Sequence, residues 1–380
     1  MSTSGTSLQS GEPQAATGQR AYASQWQLMR WRFLRHRVAV VSLGFIGFLY
    51  LGVIFAEFIA PYDPRAYDEE FTLAPPQRIR FFDADGRFHP RPFVHPIVKT
   101  VDPDTWEYLY SVDTTVVQPL YLFVRGDPYR MWGLFPGDLH LFGLRDGRIF
   151  SLMGKDSLGR DLFSRIVYGS RISLTVGFVG ILIGFFPSLF IGGMAGLLGG
   201  AVDKVIMRIT ETFMSVPTLP LWVALAAALP VRLSVVQRYV LITVILALIG
   251  VVTGGSRTVR GKFMALKREE YIRAARLDNV GDGKLIFSYL LPSFLSHTIA
   301  ELTLAIPGMI LGETALSFIG LGLQPPAISW GVMLQECRHL RNLIAAQWLF
   351  IPAFFVVAAI LAFNFIGDGM RDAADPYSKV

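Results

Sequence analysis

The chain has 380 residues, 52% of them hydrophobic, with a mean hydropathy of +0.44 and 36 glycines on top of that share. Soluble domains average roughly 45–50% apolar residues with glycine included, so this excess, gathered into runs, excludes an ordinary soluble enzyme and places the chain in a membrane. The net charge of +6 could suit nucleic acid, but Lys and Arg cluster beside the apolar runs, the pattern of a cytoplasmic bilayer face, and no nucleic-acid partner is expected.

A single cysteine, Cys337, leaves no internal disulfide and no multi-cysteine metal site. Residues 1–20 are rich in Ser, Thr, Gly and Gln and have almost nothing to bury, which reads as a disordered tail. Trp26 to Arg37 is basic and aromatic and suits the cytoplasmic interface, with Trp rings at headgroup depth and Arg near anionic lipid. Val38 to Ala56 carries no charge; with Glu57 to Ala60 at its outer edge it is a first transmembrane helix, its N-terminus inside. The apolar core exceeds that of a signal peptide. Ala60-Pro61-Tyr62-Asp63-Pro64 cannot continue a helix.

The polar stretch that follows holds many prolines and two hairpin signals. Ile79 to His89 turns at Asp85-Gly86 and Leu139 to Leu152 at Asp146-Gly147, each Asp-Gly standing between β-prone flanks. A small β-rich extracytoplasmic insert is expected, its aromatics (Phe81, Phe82, Tyr108, Tyr110, Phe123, Trp132 and Phe135 among them) forming a core, or else a stacking platform. Gly154 to Leu174 reads as an amphipathic interfacial helix with Leu162, Ile166 and Val167 toward lipid and its charges toward water.

Further spans follow at Ile172 to Val202, where Gly177, Gly180, Gly184, Gly192, Gly193 and Gly196 permit close helix approach, at Thr212 to Val231, interrupted by Pro217 and Pro220, and at Tyr239 to Ser256. The last runs into Arg257, Arg260, Lys262, Lys267 and Arg268, the densest basic cluster, which fixes the next segment on the cytoplasmic side. Lys267 to Asp278 is rich in helix formers, with Glu269 four residues before Arg273, and Asn279 can take the left-handed conformation that ends a helix. The fifth span, Leu285 to about Leu316, contains His297, Glu301 and Glu313. Gly320 to Asn342 is too polar to span and suits an outer loop with a re-entrant or interfacial helix, and Trp348 to Ile366 is the sixth span.

The fold class is therefore an all-α polytopic membrane protein with six transmembrane helices and a β-rich extracytoplasmic insert between helices 1 and 2. The division is a cytoplasmic tail and interfacial helix (1–37), the first span (38–60), the insert (61–165), a core of five spans (166–370) with a cytoplasmic loop at about 257–284, and a cytoplasmic tail (371–380).

Catalytic motifs are missing. The Gly-Lys pairs at 154–155, 261–262 and 283–284 lack the surroundings of GxxxxGK[ST], and neither HExxH nor GxSxG occurs, so the chain is not expected to be an enzyme or to hold a cofactor or metal. Glu301 and Glu313 lie about 18 Å and 120° apart on an ideal helix, a poor acid–base pair. A buried carboxylate in a span marks a pathway or a helix contact. Glu301 could meet a substrate amine or pair with a partner helix, and Glu313 suits a structural role.

Residues 269–292, EEYIRAARLDNVGDGKLIFSYLLP, resemble the EAA loop of the permease subunits of binding-protein-dependent ABC importers. Ala274, Ala275, Leu291 and Pro292 match; Arg273, Asn279 and Tyr289 stand where the family has Glu, Gly and Ile. The resemblance implies a coupling helix docking onto an ATPase through Glu270, Arg273, Ala274, Ala275, Asn279, Leu291 and Pro292. The polar residues within the fifth span, His297, Glu301 and Glu313, are the substrate-path candidates. GKDSLGRDLFSRIVYGSRISL (154–174) is similar to the entry into the second helix of the dipeptide, oligopeptide and nickel permeases. WRFLRHRVAVVSLGFIG with APYDP, and AFNFIGDGMRDAADP, resemble the two ends of the C-type subunit in that family.

The implied machine sits in a bacterial inner membrane with both termini cytoplasmic. It comprises this chain, a sister B-type permease subunit, two ATPase domains that hold the ATP and Mg, and an extracytoplasmic solute-binding protein. Peptides lead as substrate, with oligosaccharides or nickel open. Competing readings are a proton-coupled secondary transporter using Glu301 and Glu313, and a membrane-anchored scaffold presenting the insert.

Overall fold

A computed structural model of the chain describes residues 25–83, 86–101, 103, 108–145 and 150–374. The N-terminal helices α1 (Gln25–Arg35) and α2 (Arg37–Ile54) are separated at His36, which caps α2 by accepting the Ala39 N–H at 3.2 Å. A short helix, α3 (Ala56–Ile59), ends where Ala60 turns to extended backbone before Pro61.

The described strands all fall between Arg80 and Gly143. β1 (Arg80–Phe82), β2 (Phe88–Val94) and β5 (Gln118–Pro119) form a three-stranded antiparallel sheet, β3 (Ile97–Val101) pairs β4 (Tyr108–Val112), and β6 (Tyr121–Met131) pairs β7 (Phe135–Gly143). The expected hairpin over Ile79 to His89 is present in its strands, with Phe82 opposite Phe88. The one expected over Leu139 to Leu152 is not. Leu139 to Gly143 pairs backward, Leu139 with Arg125 and Gly143 with Tyr121, and the Asp146-Gly147 turn lies outside the described residues. The aromatics do not form the expected core: Phe81, Phe82, Tyr108, Phe123, Trp132 and Phe135 are exposed, and the buried centre is Phe93, Val94, Leu144 and Phe150.

Among the described residues, five helices are long and apolar enough to cross a membrane, or six if one bent pair counts as a span. They are α2; α4 (Leu162–Leu198); α7 (Val235–Gly250), running through a π-turn into α8 (Ser256–Leu266); α10 (Leu291–Phe318); and α12 (Ile351–Ala374). The third span differs from expectation. α5 (Gly200–Met214) and α6 (Thr218–Ala227) meet at 87° around Pro217, so Thr212 to Val231 is not one straight helix.

α10 packs against α12 and α4, and α4 against α8. Gly192 sits so close to α8 that a Cβ there would come within 2.4 Å of the Ser256 carbonyl oxygen, which is the close approach that small residues allow. The helical core includes Ile46, Leu49, Leu174, Ile306, Ile310, Val356 and Phe363 around Trp330, from the short helix α11 (Trp330–Leu334). Trp330 donates through its indole N–H to the Ile166 carbonyl (3.1 Å) and through its backbone N–H to Ser173 Oγ (3.0 Å).

Candidate functional site

The segment from Arg268 to Val280 is a helix on a platform. Glu269 is the extended N-cap of α9 (Glu270–Leu277), so the expected helix start at Lys267 moves three residues on, and Glu269 forms no ion pair with Arg273 among the described ones. Asn279 has φ +58°; its N–H reaches the Arg276 carbonyl and the Val280 N–H that of Ala275, at 3.0 and 3.1 Å. This is a Schellman ending with Asn in the place usually held by Gly.

Ile272 and Ala275 are buried against a cluster with Leu189, Phe263, Leu285 and Leu290. Ala275, expected among the docking residues, therefore seats the helix on its own chain. Glu270, Arg273, Ala274 and Asn279 are exposed, as is Pro292, while Leu291 is half-buried. Two residues not singled out in the sequence complete the outer face: Tyr271 (43% exposed) and Leu277 (87% exposed) stand at intervals of three with Ala274. Apolar residues in excess of the one stripe that a seated helix needs are the signal that could have found them.

A second feature is a cavity of about 520 Å³ among α4, α6, α7, α8 and α10. Its wall is mostly apolar and glycine-rich, and its charged groups are Glu301, Lys262 and Arg371. Glu301 is half-buried. His297 lies on α10, its side chain outside the described residues. Glu313 is elsewhere. Fully buried, it accepts from Ser317 and Ser329 hydroxyls, each at 2.8 Å, tying α10 to the residue that caps α11. The structure thus separates the two glutamates that the sequence placed on one path.

The third feature corrects an expectation. Residues 154–166 are no lipid-facing surface helix: Leu162 and Ile166 are buried within the protein, and so are Lys155, Asp156, Arg160, Asp161 and Arg165. Asp156 pairs with Arg160 (2.7 Å) and Arg165 (3.3 Å), and Arg160 also reaches Glu336 (3.0 Å), whose other oxygen accepts from Ser157 Oγ (2.7 Å). Lys155 pairs with Asp68. Gly159 turns at φ +73°, and a Cβ there would overlap the Asp68 carbonyl oxygen at 1.9 Å, so glycine is required. Asp161 caps α4 by accepting from the Ser164 N–H (2.8 Å) and hydroxyl (2.7 Å), and its burial pushes its pKa up to about 6. Among the described residues no group of His, Cys, Asp and Glu is placed to hold a metal.

A family model for the binding-protein-dependent transport system inner membrane component matches residues 188–379, and one for the N-terminal TM domain of oligopeptide transport permease C matches 24–76. The dipeptide transport system permease protein DppC of Bacillus subtilis is 40% identical over 228 residues, 59% of this chain and 68% of that one. The oligopeptide transport system permease protein OppC of Escherichia coli K12 is 38% identical over 60% of this chain and 72% of its own. The glutathione transport system permease protein GsiD of Pectobacterium atrosepticum is 37% identical over 60% and 73%. A chain of the MetNI methionine ABC transporter, solved in inward-facing conformations, aligns with TM-score 0.42 and 17% identity over 56% of this chain and 98% of that one, too remote to inform the site. The chain belongs to the family of inner-membrane permease components of binding-protein-dependent transport systems.

Proposed function

We propose that this chain is the C-type permease subunit of an ATP-driven importer of peptides, working with a sister permease subunit, two ATPase domains and a solute-binding protein. The observation that carries the reading is the doubled character of α9, whose Ile272 and Ala275 fix it to the chain while Tyr271, Ala274 and Leu277 present an apolar stripe outward. A helix closed at its C-terminus by Asn279 and seated on the platform passes a push on its outer face to α8 and α10, which also wall the cavity. That is what coupling ATP hydrolysis to transport requires. The basic cluster Arg257 to Arg268 supports a cytoplasmic position for this helix and for both termini, with the strand-bearing insert outside.

Peptides are favoured by the relatives, which are named dipeptide, oligopeptide and glutathione permeases. The cavity's chemistry agrees: one carboxylate and two cations suit a solute carrying both an amine and a carboxylate. Ala274→Arg places a bulky charge on the exposed stripe. The variant is expected to insert in the membrane normally but to lose copurifying ATPase subunits or substrate-stimulated ATP hydrolysis. Full retention of both would remove the docking assignment.

A further inference from the structure

The β6–β7 hairpin runs back along the chain that leaves the first long helix. Midway along it, the His140 ring sits between the Ala60 and Asp127 carbonyls, and the Asp63 N–H donates to the Asp127 carboxylate at 3.4 Å. At its turn, the Trp132 backbone N–H donates to Glu57 Oε1 (3.2 Å) and the indole N–H to the Ile54 carbonyl (2.9 Å). The contacts step from Asp63 and Ala60 to Glu57 and Ile54 as the hairpin nears its turn. The tip therefore points toward the helix that crosses the membrane, not away from it.

Depth follows from length. The 18 residues of Arg37–Ile54 rise about 27 Å, close to the roughly 30 Å of hydrocarbon in a bilayer. Ile54 then lies at the outer edge of the hydrocarbon, and the Trp132 indole with it. The tip sequence Met131 to Gly137, MWGLFPG, has no charge and is bounded by Arg130 and Asp138. Trp132, Leu134 and Phe135 are 55%, 73% and 61% exposed. Their apolar surface continues onto the outward face of α2, at Phe48 and Leu51, and onto a cavity of about 580 Å³ lined by Val53, Ile54, Trp132, Ile172 and Val236. Trp132 also holds φ +52°, a left-handed conformation that bulky side chains rarely adopt. It is kept there by hydrogen bonds to Ile54, the last residue of α2, and to Glu57 of α3, the mark of a position fixed for a purpose.

We propose that this turn is a membrane anchor: Trp132, Leu134 and Phe135 dip into the outer-leaflet interface and are covered by phospholipid, with Arg130 reaching the headgroup phosphates. Tryptophan favours this depth, and an exposed arginine one step further out meets the anionic headgroups while its stem stays in apolar surroundings. Lipid is preferred to a protein partner because the surface continues the face of a spanning helix, which lipid covers. The inference rests on Arg37–Ile54 being a span, and is independent of substrate and of ATPase docking.

The test uses the full-length chain in its assembled complex, in nanodiscs of brominated phosphatidylcholine, on a Cys337→Ser background. Leu134→Cys, and Phe135→Cys as a second tip position, carry a polarity-sensitive thiol fluorophore, with Phe48→Cys on the helix and Val98→Cys on β3 as controls. The expected result is a blue-shifted tip label quenched as strongly as the Phe48→Cys label, while the Val98→Cys label stays bright. Tip labels that stay bright while the Phe48→Cys label is quenched would overturn the anchor, as would unquenched tip labels that cross-link to another subunit. An unquenched Phe48→Cys label would overturn the span and the anchor together.

Discussion

Glu301 stands half-buried on a cavity wall that also presents Lys262 and Arg371. Gln has nearly the same shape and still accepts a hydrogen bond, so Glu301→Gln isolates the charge. A hydrogen bond to a charged group contributes about 1.5–3 kcal/mol, so uptake of substrates with a free amino terminus is expected to weaken by about tenfold or more, while N-acetylated analogues change little. Equal uptake of both, with a lower melting temperature, would assign Glu301 to helix packing instead. Asp161 offers a second test at this scale. Its pKa lies at about 6 in the folded chain against an ordinary 3.8, because burial disfavours the charged form. The folded state thus binds this proton more tightly, and the contribution of Asp161 to stability is largest below pH 4 and falls as pH rises from 4 to 6. The drop is about 3 kcal/mol by linkage. Asp161→Asn keeps a capping side chain and is expected to flatten that slope in melting curves taken between pH 4 and 7. An unchanged slope would mean that the carboxyl is better solvated than its surroundings suggest.

Among the elements, the loop leading into α4 shows most clearly where the sequence was legible and where it was not. The motif over 154–174 was recognisable from its letters, and the apolar spacing of Leu162 and Ile166 marked a helix. Which way that helix faces was not readable, because Asp156, Arg160 and Arg165 find their partners in each other and in Glu336, some 180 residues away. A charge looks solvent-facing in sequence until its counter-ion is placed. The same limit applies to the insert. Its Asp85-Gly86 hairpin was visible because the signal is local, whereas β6 and β7 join through Trp132-Gly133-Leu134, with Trp in a conformation that no turn rule assigns to it. In α9 the Asn279 ending was local and readable, while the outward position of Leu277 depended on which face met Phe263. The ion network yields its own prediction. Arg160→Ala leaves Asp156 with Arg165 alone and Glu336 without its guanidinium, and breaking a buried pair on one side typically costs about 3–5 kcal/mol. A large fall in melting temperature is expected, partly restored in the double variant with Glu336→Gln. A fall below about 1 kcal/mol would place the network in the class of weak surface pairs.

At the scale of the whole molecule, the long helices were legible from hydropathy, and the two ends from their motifs. The third span was not, since the chain turns through 87° at Ser215–Pro217 in a way that composition records only as a break. What the assembled chain offers is a cavity and a capped, outward-facing helix joined by α8 and α10, with no ATP-binding motif of its own. On the proposed function, transport through this cavity is driven by ATP hydrolysed on other subunits. The most direct measurement is uptake of a labelled dipeptide by proteoliposomes holding the complete complex and its solute-binding protein. The account predicts uptake that needs ATP inside the assay on the ATPase side, ignores an imposed pH gradient and is lost in the Ala274→Arg complex. Uptake driven by a proton gradient without ATP, and abolished by Glu301→Gln together with Glu313→Gln, would contradict it.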